Sequence, residues 1–188
     1  MANPFEQIRA RDGDQDKSFK WYMNQVKKIR GEFTAPGQVF NSDLGETVAD
    51  IKIGSMYMFQ YDALHKDTLP YYDAFPLVLP YESTPNGFYG LNLHYLPYMM
   101  RAQLLGSLIE TVKAKTIGPK TRMRYNWALL SQASRAPQVK PCVKRYIAGR
   151  TGKLFKVNPQ DWKSAIFLPV EQFNTSKQKV YSDSRRMA

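Results

Sequence analysis

The sequence predicts an α+β fold: a small, aromatic-rich antiparallel sheet or barrel with an N-terminal helix and C-terminal helices. Three observations lead there. Residues 51–93 hold short runs rich in Tyr, Phe, Leu and Val separated by turn residues, the pattern of short strands and a hairpin. Residues 19–29 and 104–112 instead carry apolar residues three and four apart, the spacing of one helix face. Near the C-terminus Pro159 directly follows Asn158, the order of cap and proline that opens a helix. With 188 residues and 43% apolar composition, the chain is long enough to bury one core.

Residues 1–33 read as an N-terminal arm. After a polar lead, Phe19, Tyr22, Met23, Val26 and Ile29 form an apolar stripe, with Asp16 as the expected cap and Gly31 as the expected terminator. The other face is basic. Such a helix either packs on its own domain or docks as an arm on a neighbouring subunit, with Trp21 and Tyr22 as contact residues. Residues 34–50, rich in Gly, Ser, Thr and acids without a period, read as a connector.

Residues 51–175 follow as the α+β domain. In "IKIGSMYMFQY" Tyr57, Phe59 and Tyr61 alternate with Met56, Met58 and Gln60, so a strand there is covered on both sides. "FPLVLPY" and "FYGLNLHYLP" flank an Asn-Gly turn signal and read as a hairpin. Pro76 and Pro80 lack the N–H of a central strand, which places the first arm at an edge, in partial pairing or at a bulge. Pro97 then opens a helix with the stripe Leu104, Leu105, Leu108, Ile109 and Val112. A second helix, with Met123, Trp127 and Leu130 on one side, completes a helical hairpin. Gly149 and Gly152 mark a turn between two short elements, the second a strand. Asn158 and Pro159 start a helix that Pro169 stops. Residues 176–188 read as a polar tail, loose or lying along a surface.

Charge is segregated. Residues 36–100 hold two Lys/Arg against seven Asp/Glu, whereas residues 101–188 hold eighteen against four, within a total of +11. Between Glu110 and Asp161 there are twelve cations and no acid, a one-sign block that fits a polyanionic partner or an acidic protein surface. Arg122, Arg124, Lys140, Lys144, Arg145, Arg150, Lys153 and Lys156 are the candidate polyanion-binding residues. Interleaved with Tyr125, Trp127, Tyr146 and Phe155, they combine phosphate neutralisation with stacking faces. No DNA-reading module is recognisable, so any DNA contact is expected to be independent of sequence.

The stretch 69–97, by contrast, is rich in Tyr, Phe and Pro and holds no Lys or Arg. Tyrosine buries a large area yet leaves a hydroxyl to satisfy, which suits a packed hairpin whose rim touches protein. Tyr71, Tyr72, Phe75, Tyr89 and Tyr95 are its candidate interface residues. Catalytic signals are weak. His65 near Asp62 and Asp67, and His94 beside Tyr95, are the right types for acid–base work, but no phosphate loop, metalloprotease motif or nucleophile elbow accompanies them. The expectation is a protein that is not an enzyme, with no cofactor and no metal. Cys142 is the single cysteine, which excludes an intramolecular disulfide. No segment reads as a signal peptide or a membrane span, so a soluble protein with no membrane partner is expected.

Several blocks in this order, "MYMFQYDALHKDTLPYYDAFPLVLP", "GFYGLNLHYLP" before an Arg and a leucine-rich helix, "KPCVKRYIAGR", and Trp162 followed by "FLPVEQF", carry a resemblance. Over roughly residues 16–186 the chain resembles small basic virion proteins of contractile-tailed, T-even-like phages. The resemblance implies a non-enzymatic component of the particle at the tail, baseplate or neck, assembled in the host cytoplasm and contacting other virion proteins or copies of itself. Such phages also package a DNA-end-protecting protein, so the basic third keeps DNA-end or DNA-conduit binding as the alternative.

Overall fold

The computed structural model describes residues 4–12, 17–29, 45–113 and 128–187. Six strands form one sheet: β1 (Gly45–Val48), β2 (Met56–Met58), β3 (Leu77–Thr84), β4 (Gly87–Asn92), β5 (Val143–Ile147) and β6 (Leu154–Val157). Their spatial order is β1-β6-β2-β3-β4-β5, with every neighbouring pair antiparallel. β1 and β5 are therefore free edges: the fold is α+β as expected, with an open sheet and not a barrel. β1 lies at the end of the segment read as a connector, and its pairing with β6 orders that end; residues 34–44 lie outside the described residues.

Alternation sets the two faces. Met56, Met58, Leu77, Leu79, Leu91, Phe155 and Val157 point to one side, into the main core. Tyr57, Val78, Phe88, Tyr146 and Leu154 point to the other and, with Phe59, form a second, smaller cluster. Tyr57 and Met56 are both fully buried, so β2 is covered on both sides, as its two apolar faces predict. In the second cluster Phe88 pairs with Tyr146 across β4 and β5, and their rings stack with centroids 5.2 Å apart.

The β3–β4 hairpin turns through Pro85 and Asn86, with Thr84 opposite Gly87. The Asn-Gly signal is thus displaced by one residue, because Gly87 is needed in the strand: a Cβ there would lie 1.9 Å from the Tyr146 carbonyl oxygen of β5. β3 is central and not an edge. Pro80 is tolerated because the register shifts between Pro80 and Glu82, and its carbonyl accepts from the Gly54 N–H. That side of Pro80, where its own N–H would point, lies past the start of the three-residue β2.

Helices cover the main-core face. They are α1 (Pro4–Asp12), α2 (Phe19–Ile29), α3 (Tyr98–Lys113), α4 (Trp162–Ala165) and α5 (Lys177–Met187), with a further helical stretch at 128–133. Ser18 caps α2, its Oγ accepting from the Trp21 N–H at 3.3 Å; Asp16 and Gly31, the expected cap and terminator, lie outside the described residues. Tyr22, Val26 and Ile29 of α2 are buried, and α2 packs on α1 and α4 of its own chain. In the second helix of the expected helical hairpin, Leu130 is buried, while Met123 and Trp127 lie outside the described residues.

Two C-terminal expectations change. Pro159 opens a single 3-10 turn that runs into α4, which ends at Ala165, and Asn158 makes no side-chain cap. Ile166, Phe167 and Leu168 then continue as buried irregular chain up to Pro169. The polar tail is α5. Ser176 Oγ accepts from the Lys179 N–H, and Val180 and Ser184 are buried. No described helix is long and apolar enough to cross a membrane.

Candidate nucleic-acid interface

The free edge strand β5 and its flanking turns form a strongly basic stretch among the described residues. The strand follows a 3-10 turn, Lys140–Cys142, and precedes another, Ala148–Arg150, so Lys140, Lys144, Arg145 and Arg150 fall in eleven consecutive residues along one sheet edge. Lys140, Arg145 and Arg150 are exposed. Beyond Arg150 the chain crosses to the opposite half of the sheet. Lys153 and Lys156 sit before and within β6, which pairs with β1 and β2 and not with β5. The predicted cationic set is therefore divided in two, and Arg122, Arg124, Tyr125 and Trp127 lie outside the described residues.

The crossing is fixed by the loop after β2. Gly152 N–H donates to Gln60 O at 2.7 Å and Asp62 N–H to Arg150 O at 3.1 Å. A Cβ on Gly152 would approach Gln60 Cβ to 3.2 Å, so the two backbones run close together. Asp62 then bridges two cations, Arg150 Nη1 and Lys66 Nζ, each at 2.8 Å. The hydrogen bond from Lys66, with help from Arg150, holds the Asp62 carboxyl below its usual range. An open groove of about 610 Å³ runs along this seam past Tyr61, Asp62, Arg150 and Gln172.

On the other side of Tyr61 a more enclosed cleft of about 280 Å³ lies between the 61–73 loop and β5. Its walls carry Tyr61, Tyr71, Tyr72, Tyr95 and Tyr146, with Asp73 and Asn92 at the floor and Lys144 and Arg145 from the edge strand. Tyr61 and Tyr146 meet edge to face at 4.9 Å, and Tyr71 and Tyr95 lie tilted at 6.1 Å. Lys144 Nζ stands 4.0 Å from the centroid of the Tyr95 ring. Burial lowers the Lys144 pKa and raises that of Tyr95.

Asp73 is fully committed. Its Oδ1 accepts from the Phe75 and Gln172 N–H groups at 3.0 Å, and its Oδ2 meets Asn92 Nδ2 at 3.2 Å and His94 Nδ1 at 2.7 Å. His94 is wholly buried, a structural partner of Asp73 out of reach of any external ligand, while His65 sits in the exposed loop. Cys142 is buried too, and burial pushes its thiol pKa up to about 12.

The aromatic residues expected at a protein interface divide similarly. Tyr22, Phe75 and Tyr95 belong to this chain's own core, at 5%, 0% and 4% exposure. Trp21, Tyr71, Tyr72 and Tyr89 are half-buried. Sequence reasoning overlooked Tyr61 as a wall residue, although its place in the Tyr57–Phe59–Tyr61 alternation was visible. It also missed the buried Arg101 and Glu171, whose only signal was charge inside apolar runs.

Fold and cleft define an α+β protein built on an open antiparallel sheet, helix-covered on one face, with a basic edge and a tyrosine-walled cleft beside it. The family model described as phage T4 terminal DNA protecting protein matches residues 6–188, and the chain belongs to that family. No curated protein and no solved structure matches it. The resemblance to T-even-like phage proteins is thereby specified to one family.

Proposed function

We propose that this chain binds the ends of a phage's linear DNA and shields them, without catalysis and without reading sequence. The observation that carries this is the match of nearly the whole chain to the terminal DNA protecting family. The basic free edge around β5 supports it, because cations on an exposed edge can follow a phosphate backbone with no base-specific contact. The protein would travel in the virion with the genome after assembly in the host cytoplasm. A tail, baseplate or neck role through contacts with other virion proteins draws less support: the match points to DNA ends, and Tyr22, Phe75 and Tyr95 are enclosed by their own chain.

The test compares linear duplex with a covalently closed circle of the same sequence, at several salt concentrations, together with exonuclease challenge. Saturable protection of the linear ends, with log affinity falling about 0.9 per phosphate neutralised for each tenfold rise in salt, is the expected result. Equal affinity for circle and linear duplex, or no protection, would refute end binding. Cleavage of either DNA on adding magnesium or manganese would refute the absence of catalysis.

A further inference from the structure

We propose that the cleft between the 61–73 loop and β5 is a nucleotide pocket that takes the unpaired residue at the end of a DNA strand, stacking its base on tyrosine and holding its phosphate on Lys144. This rests on the end-binding function above and names the part of the DNA that the end contributes.

The cavity, at about 280 Å³, is near the lower limit of small-ligand sites, a size for one nucleotide and too confined for a duplex. Five tyrosines, Tyr61, Tyr71, Tyr72, Tyr95 and Tyr146, line it, and every base offers a face to stack whatever its identity. Its mouth is apolar as well. Leu64 and Leu69 are two of the three large hydrophobic side chains left exposed among the described residues, at 48% and 42%, and both line this cleft.

The charge of the cleft selects an anion. Lys144 has no carboxylate partner among the described residues; its ammonium rests on the Tyr95 ring. Asp73, the one acid lining the cleft, already has four partners. A cation held away from water without a counter-charge gains from an arriving phosphate, and the lowered pKa of Lys144 reflects the same desolvation. An apolar or cationic peptide would leave that ammonium uncompensated.

The experiment uses DNA hairpins with a single open end, made blunt, with a two-nucleotide 3′ overhang, or with a two-nucleotide 5′ overhang, and a closed dumbbell with no end. The full-length protein is titrated with each. One overhang polarity is expected to bind about 5- to 160-fold more tightly than the blunt end, the range for stacking one base. Tyr72→Ala and Lys144→Met should each abolish that preference, and Lys153→Gln should retain it. A 2-aminopurine placed in the overhang gives a readout free of any folding defect in the variants: stacking on tyrosine should quench it on binding, and the same probe inside the duplex should not respond. Blunt and overhanging ends bound equally, with no quenching, would overturn the pocket while leaving end binding intact if the dumbbell still bound more weakly. Equal binding of all four DNAs would overturn both.

Discussion

Arg101 is the largest fully buried side chain, and its fork is satisfied almost completely. Nε donates to Leu96 O at 2.7 Å, Nη1 to Ile166 O at 2.9 Å, and Nη2 to His94 O at 3.2 Å and Tyr181 Oη at 3.0 Å. It thereby ties the start of α3 to the 3-10 turn Leu93–Tyr95, to the chain after α4 and to α5. Glu171 lies 3.6 Å from it and 2.6 Å from Lys177 Nζ. Arg101→Met fills the space but strands three carbonyls and part of a buried carboxylate charge, so unfolding by urea should show a loss of about 3–5 kcal/mol. A loss below about 1 kcal/mol would contradict this network. Two carboxyls impose opposite pH dependences. Burial alone would raise the Glu171 pKa, but attraction from His94, Arg101 and Lys177 prevails and holds it at about 2. Its contribution is present above the ordinary value of 4.5 and fades as pH falls toward 2. Asp161 is the reverse: burial, reinforced by Glu6 and only partly opposed by Arg9, lifts it to about 6 from 3.8. Arg9 Nε is 3.2 Å from one of its oxygens, outside hydrogen-bonding alignment. The folded protein therefore binds that proton more tightly than the unfolded chain, and stability declines as pH rises from about 4 to 6. Asp161→Asn should match the wild type near pH 4 and exceed it above pH 6, by up to about 3 kcal/mol, in urea midpoints taken across that range.

At the level of elements, β5 depends on a residue outside itself. Gly87 brings β4 close enough for Gly87–Leu91 to pair with Val143–Ile147, and the Asn86 carbonyl accepts the Ala148 N–H at 2.9 Å. Gly87→Ala places a methyl on the Tyr146 carbonyl, which backbone movement alone can relieve. The expected outcome is a loss of about 2 kcal/mol or more, with faster amide exchange concentrated at 146–148; exchange no faster there than in β2 would count against it. The same elements show what the sequence could reveal. Two-sided coverage of β2 was legible because Met and Tyr alternate with no polar face, and α2 because its apolar stripe is local. The centrality of β3 was not legible, since it depends on where the neighbouring strand ends. α5 was hidden because Val180 and Tyr181 are its only large apolar residues apart from Met187, and Ser184 completes its buried side. Nor does alternation in "VKRYI" reveal which cation turns toward an aromatic wall: Lys144 does so because β5 pairs with β4, bringing it against Tyr95.

For the whole molecule, the cations from Lys140 to Lys156 in the one-sign run between Glu110 and Asp161 separate onto two elements once the chain folds. Lys140, Arg145 and Arg150 flank the free edge, whereas Lys153 directly precedes and Lys156 lies within β6, which is enclosed between β1 and β2. In register, Lys156 lies opposite Glu46 of β1 and Tyr57 of β2, so an acid sits beside it on the same face. Arg150 is also partly offset, through Asp62. Along the β5 edge the uncompensated charge among the described residues is thus that of Lys140, Lys144 and Arg145, next to the tyrosine cleft, and a strand end seated there would place its adjoining phosphates along that edge. Replacing both Lys140 and Arg145 by Gln removes two exposed charges without touching the core. It should weaken end binding and make the slope of log affinity against log salt shallower by about 1.8, two phosphates at about 0.9 each. The paired change Lys153→Gln with Lys156→Gln alters the net charge of the protein by the same amount from beside and within β6, off the β5 strand. If DNA is drawn by overall charge, both double variants shift affinity and slope alike; if it lies along the β5 edge, only the first does. Salt titrations of the two proteins against the same blunt hairpin separate these outcomes, and an equal response would place the DNA somewhere other than the free edge.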